Sequence, residues 1–187
     1  MFEKIKKNLL TFYSVHAIIS HTQKKGSKTM ANKMTIWFDL DGTLTNTYAV
    51  EGWLDMLRSY DPTPYRVAKP TLRMNKLARQ LNALQRKGAK LGIISWLSKN
   101  SNESFDNAVT EEKLRWLKKH LSSVAWDEIF IVPYGTNKAA CCGVDNDCFV
   151  LFDDEEQNRK AWNKLGGAAY HPAEITTTLS MLNRKMK

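Results

Sequence analysis

Four carboxylates, one hydroxyl and one ammonium in this sequence follow short apolar runs, where their side chains could act on one ligand. They are Asp39, Asp41, Ser95, Lys138, Asp153 and Asp154. A carboxylate can attack phosphorus and form an acyl phosphate that water later cleaves. Because phosphate and carboxylate repel each other, this chemistry needs a cation, and Mg²⁺ binds oxygen ligands while using few protein carboxylates. The residue types therefore indicate phosphoryl transfer with Mg²⁺ as the cofactor.

The remaining polar groups fit the same chemistry. Lys138 supplies a fixed positive charge for a transferring phosphoryl group. Ser95 and the backbone amides that follow it can donate hydrogen bonds to phosphate oxygens. Gly42 lets the chain turn sharply directly after Asp39 and Asp41.

The apolar runs that precede these residues predict buried strands. They lie at residues 35–40, 91–96, 128–132 and 148–152, with a fifth, short strand predicted at 168–171. Nearly continuous apolar strands that alternate with helical patterns predict an α/β fold, a Rossmann-like three-layer sandwich with a mostly parallel central sheet. Ligands of such sheets bind beyond the carboxyl ends of the strands, so the polar residues there should converge.

Helical spacing of apolar residues predicts the connecting elements. Helices are expected at 49–59, at 74–87, over a segment with Glu111 and Glu112 in its first turn, from Asn137, at 155–165 and at 173–186. Residues 100–107 are polar and are predicted to form a loop. Asp61, Pro62 and Pro64 are interpreted as breakers that end the first helix.

The polar motifs resemble those of a known enzyme family. Residues 38–45 (FDLDGTLT) are similar to the first signature of the haloacid dehalogenase (HAD) superfamily of phosphohydrolases. Ser95, which ends the second strand, is similar to its second motif, and Lys138 to its third. Residues 152–154 (FDD) match its acidic fourth motif. Together the motifs cover residues 35–171.

The resemblance implies a role for each acid. Asp39 would be the nucleophile and a magnesium ligand, and Asp41 the general acid and base, with its backbone carbonyl on the metal. Asp153 would complete the metal site, while Asp154 would act directly or through a metal-bound water. An acid at position 41 favours phosphatase chemistry, since it can protonate the leaving group and activate water.

The resemblance also assigns phosphate contacts to Ser95 and Lys138. Response-regulator receiver domains combine acids, a hydroxyl and a lysine on a similar sheet, but their acid pair comes first in the chain. Here the Asp39–Asp41 motif comes first and the acid pair last. This order favours the hydrolase.

The segment that follows the first motif, residues 46–70, has room only for a minimal helical, cap-like insert, so the site should be open. It is aromatic and basic, and Trp53 is interpreted as packing its helix onto the core. Predicted substrate contacts are Gly42, Thr43, Tyr48, Ser95, Trp96 and Lys138. Since aromatic rings stack on bases, we expect a small phosphorylated substrate of 5′- or 3′-nucleotidase type, with a polynucleotide 3′ end as the alternative.

The net charge of +9 lies mostly at the amino end, where residues 1–34 hold seven lysines against one glutamate. We predict a basic leader at 1–33 and the HAD-like domain at 34–187. The leader is interpreted as a flexible extension, as sequence upstream of a start at Met30 or Met34, or as an export or membrane-surface segment. Its apolar run is shorter than the ~20 residues of a membrane span. A non-enzymatic alternative is a partner-binding module that uses this leader.

The cysteines predict the cellular compartment. Cys141, Cys142 and Cys148 form no regular framework and no zinc-binding pair. They are interpreted as free thiols packed in or near the core, in a reducing, cytoplasmic environment. The sequence leaves the oligomeric state and the physiological substrate open.

Overall fold

A five-stranded parallel sheet forms the centre of the protein. The computed structural model describes residues 34–186, so the predicted leader lies outside the described residues. The strands are β1 (Thr35–Phe38), β2 (Lys90–Trp96), β3 (Glu128–Val132), β4 (Phe149–Phe152) and β5 (Ala168–Tyr170). Their order is β3-β2-β1-β4-β5, and every neighbouring pair is parallel. The prediction of an α/β, Rossmann-like sheet is confirmed.

Helices connect the strands. They are α1 (Trp53–Arg58), α2 (Thr63–Val67), α3 (Met74–Arg86), α4 (Glu103–His120), α5 (Lys138–Cys141), α6 (Glu156–Lys164) and α7 (Ile175–Lys185). Two 3₁₀ turns lie at Thr47–Ala49 and Pro172–Glu174. Within residues 34–186, no helix combines the length and the apolar character that crossing a membrane requires.

Two apolar clusters cover the two faces of the sheet, as the alternation of side chains along a strand requires. Ile36 and Phe38 of β1 belong to a cluster that includes residues of α3, α4 and α7. Trp37, between them, belongs to the second cluster, with residues of α5 and α6. Burying one large apolar side chain contributes about 1.5–3 kcal/mol, so these layers fix the strand ends that carry the polar motifs.

Helix α4 begins earlier than predicted. Asn102 caps it by accepting a hydrogen bond from the Phe105 amide at 2.9 Å, so Glu111 and Glu112 lie in its middle. Phe105 and Val109 are buried against Tyr65 of α2. The predicted loop at 100–107 is therefore confirmed over residues 100–102 and wrong over residues 103–107, because these polar residues form the first turns of the helix.

The insert differs from the prediction at two points. The first helix ends at Arg58, before the predicted breakers, but Pro62 and Pro64 then open an unpredicted helix, α2, where a missing amide hydrogen costs nothing. Helix α1 has no buried residue, so Trp53 does not pack into the core. Instead its ring borders a cavity at the edge of the sheet.

The thiols also differ from expectation. Cys141, Cys142 and Cys148 are free, as predicted. Cys141 is exposed, however, and the other two are half-buried. The prediction of core packing was wrong for Cys141, because α5 turns this side of its short helix to solvent.

Candidate active site

Side chains that follow three strands converge at the carboxyl edge of the sheet. Asp39 and Asp41 follow β1, Asp153 and Asp154 follow β4, and Lys138 begins α5 after β3. All five line one cavity of ≈ 310 Å³. The sequence predicted this convergence, and the order of the strands produces it, since β1 lies between β2 and β4.

Lys138 lies between two of these acids. Its Nζ donates to Asp39 Oδ1 and to Asp153 Oδ2, each at 2.7 Å, and the residue is 3% exposed. Burial disfavours its charged form, but Asp39 and Asp153 outweigh that effect and raise the pKa of Lys138. Asn158 donates to both oxygens of Asp153 at 3.2 Å. The ammonium is thus held charged and in place.

Three carboxylates form a potential cation site. Asp39, Asp153 and Asp154 each offer an oxygen, and these atoms lie within 4.8 Å of one another. Burial and the neighbouring acids Asp153 and Asp41 raise the pKa of Asp39, although Lys138 opposes them. Burial and Asp153 raise the pKa of Asp154 to about 6. Lys138 balances one of the three negative charges, and a divalent cation would balance the other two. The donor set therefore fits Mg²⁺.

The approach of Asp154 depends on Gly42. The backbone of Gly42 has φ +77°, and a Cβ there would lie 2.2 Å from Asp154 Oδ2. The Asp154 amide donates to Thr43 Oγ1 at 3.1 Å. Thr43 is fully buried and, with Gly42 and Ser95, is not among the residues that line the cavity. Their predicted contact with substrate stays a prediction.

Lys113 is a site residue that we did not predict. It is 2% exposed, and its Nζ donates to Asp41 Oδ2 at 2.6 Å and to Ser95 Oγ at 2.9 Å. The other Asp41 oxygen accepts from Thr47 Oγ1 at 2.8 Å. A signal existed in the sequence, because Lys113 shares the helical spacing of the buried Val109 and Trp116.

Aromatic side chains border the cavity on two sides. Tyr48 and Trp53 of the insert make an edge-to-face pair with centroids 5.2 Å apart. Trp96, the last residue of β2, and Tyr134, from the loop after β3, make a tilted pair with centroids 5.0 Å apart. Trp96 donates its indole hydrogen to the Thr136 carbonyl at 2.9 Å, which fixes its ring. Tyr48 and Trp96, both predicted substrate contacts, lie where such contact is possible.

Comparisons with known proteins give information about the fold. No protein-family model matches the sequence, and no curated protein does either. A protein from Mesorhizobium loti assigned to the HAD-like phosphatases is similar in structure, with TM-score 0.53, 12% identity and coverage of 88% of this chain and 93% of that one. The D,D-heptose 1,7-bisphosphate phosphatase of B. bronchiseptica, solved with magnesium and phosphate, has TM-score 0.53 and 14% identity. That match covers 81% of this chain and 99% of the phosphatase.

Proposed function

Since the chain has the fold of the haloacid dehalogenase-like phosphatases, we propose that it is a magnesium-dependent phosphomonoester hydrolase that acts through an aspartyl phosphate on Asp39. The observation that carries this proposal is the placement of Lys138 between Asp39 and Asp153, beside Asp154, at the edge of a cavity. Acids that only capped turns could stay exposed to solvent and would need no ammonium. Here the acids and the ammonium are buried together, which is costly unless the charges are paired.

The geometry suggests how each residue acts. An oxygen of Asp39 attacks phosphorus, the ester P–O bond breaks, and the leaving oxygen takes a proton from Asp41. Asp41 then takes a proton from the water that cleaves the acyl phosphate, which releases inorganic phosphate and restores Asp39. Lys138 stabilises the charge on the transferring group. Mg²⁺ held by Asp39, Asp153 and Asp154 would screen the phosphate from the carboxylates.

The experiment that tests this proposal is hydrolysis of a panel of phosphomonoesters, measured as phosphate release with and without Mg²⁺. We expect turnover that requires Mg²⁺ and is lost on addition of EDTA. Absence of turnover on every substrate would favour the partner-binding alternative. Turnover that is unaffected by EDTA would contradict the proposed site.

We further propose that the leaving group is a nucleoside. Two aromatic pairs border the cavity, and a ring placed against either could gain about 1–3 kcal/mol by stacking. The cavity volume of ≈ 310 Å³ is at the lower end of the range for small-molecule sites, which suits a mononucleotide. In the panel, nucleoside monophosphates should have higher kcat/KM than sugar phosphates. The reverse ranking would overturn this part of the proposal.

A second candidate substrate, a phosphorylated polynucleotide end, is favoured by one charged segment. Residues 62–102 contain no acidic residue but nine lysines and arginines, all exposed. Among residues 34–186, none of these nine makes a salt bridge. Arg73, Lys76 and Arg79 line one groove at the start of α3. Thr71, just before them, donates to the Thr43 carbonyl at 2.6 Å, so the groove begins near the catalytic loop.

The groove gives a prediction that separates the two substrates. Replacing Arg73, Lys76 and Arg79 together with glutamine should reduce kcat/KM for a 3′-phosphorylated oligonucleotide about tenfold or more at low salt, because each lost phosphate contact weakens binding. The same variant should hydrolyse a nucleoside monophosphate at the unaltered rate. The comparison is a steady-state assay at several salt concentrations. If the variant and the wild type hydrolyse the oligonucleotide at equal rates, the polynucleotide proposal is contradicted and only the mononucleotide proposal stands.

Metal binding should stabilise the fold in a pH-dependent way. Burial raises the pKa of Asp39 to about 7 and that of Asp154 to about 6, so the folded chain binds more protons than the unfolded chain between about pH 4 and 7. Without metal, stability should therefore fall as pH rises through this window. At pH 7.5, Mg²⁺ at about 100 times its Kd should add about 2.7 kcal/mol, roughly 5–10 °C in Tm. At pH 5 the increase should be much smaller, since protons compete.

Differential scanning fluorimetry measures these shifts, and Asp154→Asn is the informative variant. It should raise the Tm of the metal-free protein at pH 7.5, because one of three crowded carboxylates is removed. It should also weaken the Mg²⁺-dependent increase. A Mg²⁺ effect that is equal in Asp154→Asn and the wild type would show that the metal binds elsewhere.

A further inference from the structure

Lys113 connects two groups of the proposed active site that come from different strands. We propose that it is a positioning residue, which holds the Asp41 carboxylate in the geometry needed for proton transfer to the leaving group and fixes the Ser95 hydroxyl beside it. This inference rests on the proposed hydrolase function. Lys113 itself does not line the cavity, so it acts through its two partners.

The hydrogen bonds of Lys113 are fully used. An ammonium has three donors, and those of Lys113 go to Asp41 Oδ2, Ser95 Oγ and the Trp96 carbonyl. All three acceptors lie at the carboxyl edge of the sheet. Because Ser95 accepts this bond, its own proton remains available to donate. Because every donor is occupied, the ammonium has one orientation, and its three hydrogen bonds fix the positions of the acceptor oxygens.

The backbone and side chain of Lys113 are held in place by the surrounding structure. It lies in the middle of α4, one turn from the buried Trp116, whose indole donates to the Ala68 carbonyl of the insert at 2.7 Å. Its Nζ lies 5.0 Å from the centroid of the Tyr65 ring of α2. The Tyr65 hydroxyl in turn bonds Ser98 Oγ at 2.6 Å. Helix α4 and the insert therefore hold the ammonium from two sides.

Asp41 is held at both of its oxygens. Lys113 of α4 binds Oδ2, and Thr47 of the insert binds Oδ1. Fully buried lysines are rare, and an apolar residue of similar volume often replaces a buried ion pair without loss of stability. A lysine in this position is thus better explained by the need to hold a carboxylate than by stability alone. Misplacing a reacting group by 1 Å can cost about 10²-fold in rate.

The test compares two esters that differ in their need for an acid. The leaving group of p-nitrophenyl phosphate is weakly basic and departs without a proton, whereas that of benzyl phosphate is strongly basic and requires one. Lys113→Met should lose roughly 10²-fold in kcat/KM on benzyl phosphate. On p-nitrophenyl phosphate the loss should be less than about tenfold, since proton donation contributes little there. Asp41→Asn should show the same selectivity, with a larger loss.

Controls separate positioning from general damage. Lys118→Met, at an exposed position of the same helix, should leave both esters unaffected. If Lys113→Met fails to fold, Lys113→Gln provides the same comparison with two hydrogen-bond donors retained. Equal losses on the two esters, in either variant, would overturn the positioning role while the hydrolase function stands. A wild-type chain that hydrolyses neither ester would overturn the hydrolase function, and this inference with it.

Discussion

Replacing Asp39 with asparagine should abolish hydrolysis. The amide is nearly the same size as the carboxylate but cannot attack phosphorus, so we expect kcat to fall by about 10⁴-fold or more. Lys138 would keep Asp153 as a partner in this variant, at 2.7 Å in the wild type. The fold should therefore persist. The measurement is phosphate release with Mg²⁺ on the best substrate of the panel, together with Tm for each protein.

A matched control makes the result specific. Asp147→Asn introduces the same change at an exposed residue of the loop before β4, at the opposite edge of the sheet. Its kcat should equal that of the wild type. Trapping the phosphoenzyme with a ³²P-labelled substrate should label the wild type and Asp147→Asn but not Asp39→Asn. Residual activity above one per cent in Asp39→Asn would contradict a covalent role for this carboxylate.

Replacing Lys138 with methionine should have the largest effect on stability. The change removes the positive charge shared by Asp39 and Asp153, which are 5% and 1% exposed, and leaves two buried carboxylates together. Removing one partner of a buried ion pair typically costs about 3–5 kcal/mol, which corresponds to a Tm roughly 6–20 °C lower. Mg²⁺ should restore part of the loss, because it brings positive charge back to the same acids.

The activity of Lys138→Met should fall as well, by about 10²–10³-fold, since the transferring group loses a charged donor. Lys160→Met is the matched control. Lys160 pairs with Glu156 at 2.9 Å, but its side chain is 71% exposed, and such surface pairs contribute little. Its Tm and kcat should stay near the wild-type values. A Lys138→Met protein as stable as Lys160→Met without Mg²⁺ would show that the buried acids are uncharged.

The sequence predicted the convergence of the site because that convergence follows from topology. Parallel strands all end at one edge of the sheet, so polar residues after the strands must lie near each other. The strand assignments were therefore enough to predict that Asp39, Lys138 and Asp153 lie close together. The sequence did not rank Asp153 against Asp154 as the direct metal ligand, for a physical reason. Neighbouring residues after a strand point in different directions, and the close approach of Asp154 to Gly42 and its hydrogen bond from Thr43 Oγ1 depend on contacts between distant segments.

Other features depended on contacts between distant segments. Lys113 lies in a helix whose charged residues mostly face solvent, and it is buried against acceptors in the loop after β1 and on β2. The start of α4 was missed because its cap and outer face are as polar as a loop. Helix α2 has only five residues and is held by packing against α4 rather than by its own propensity. Short elements of this kind leave little signal in local sequence.

The separation of the paired residues along the chain has a consequence for how the protein is made. Asp39 meets Lys138 across 99 positions, and Thr43 meets Asp154 across 111. During synthesis, the first residue of each pair leaves the ribosome well before its partner has been added to the chain. Bringing such distant segments together costs loop-closure entropy before the stabilising contacts form, and this slows folding. A nascent or truncated chain that ends before β4 would therefore contain Asp39 and Lys138 but neither Asp153 nor Asp154, and so no complete metal site.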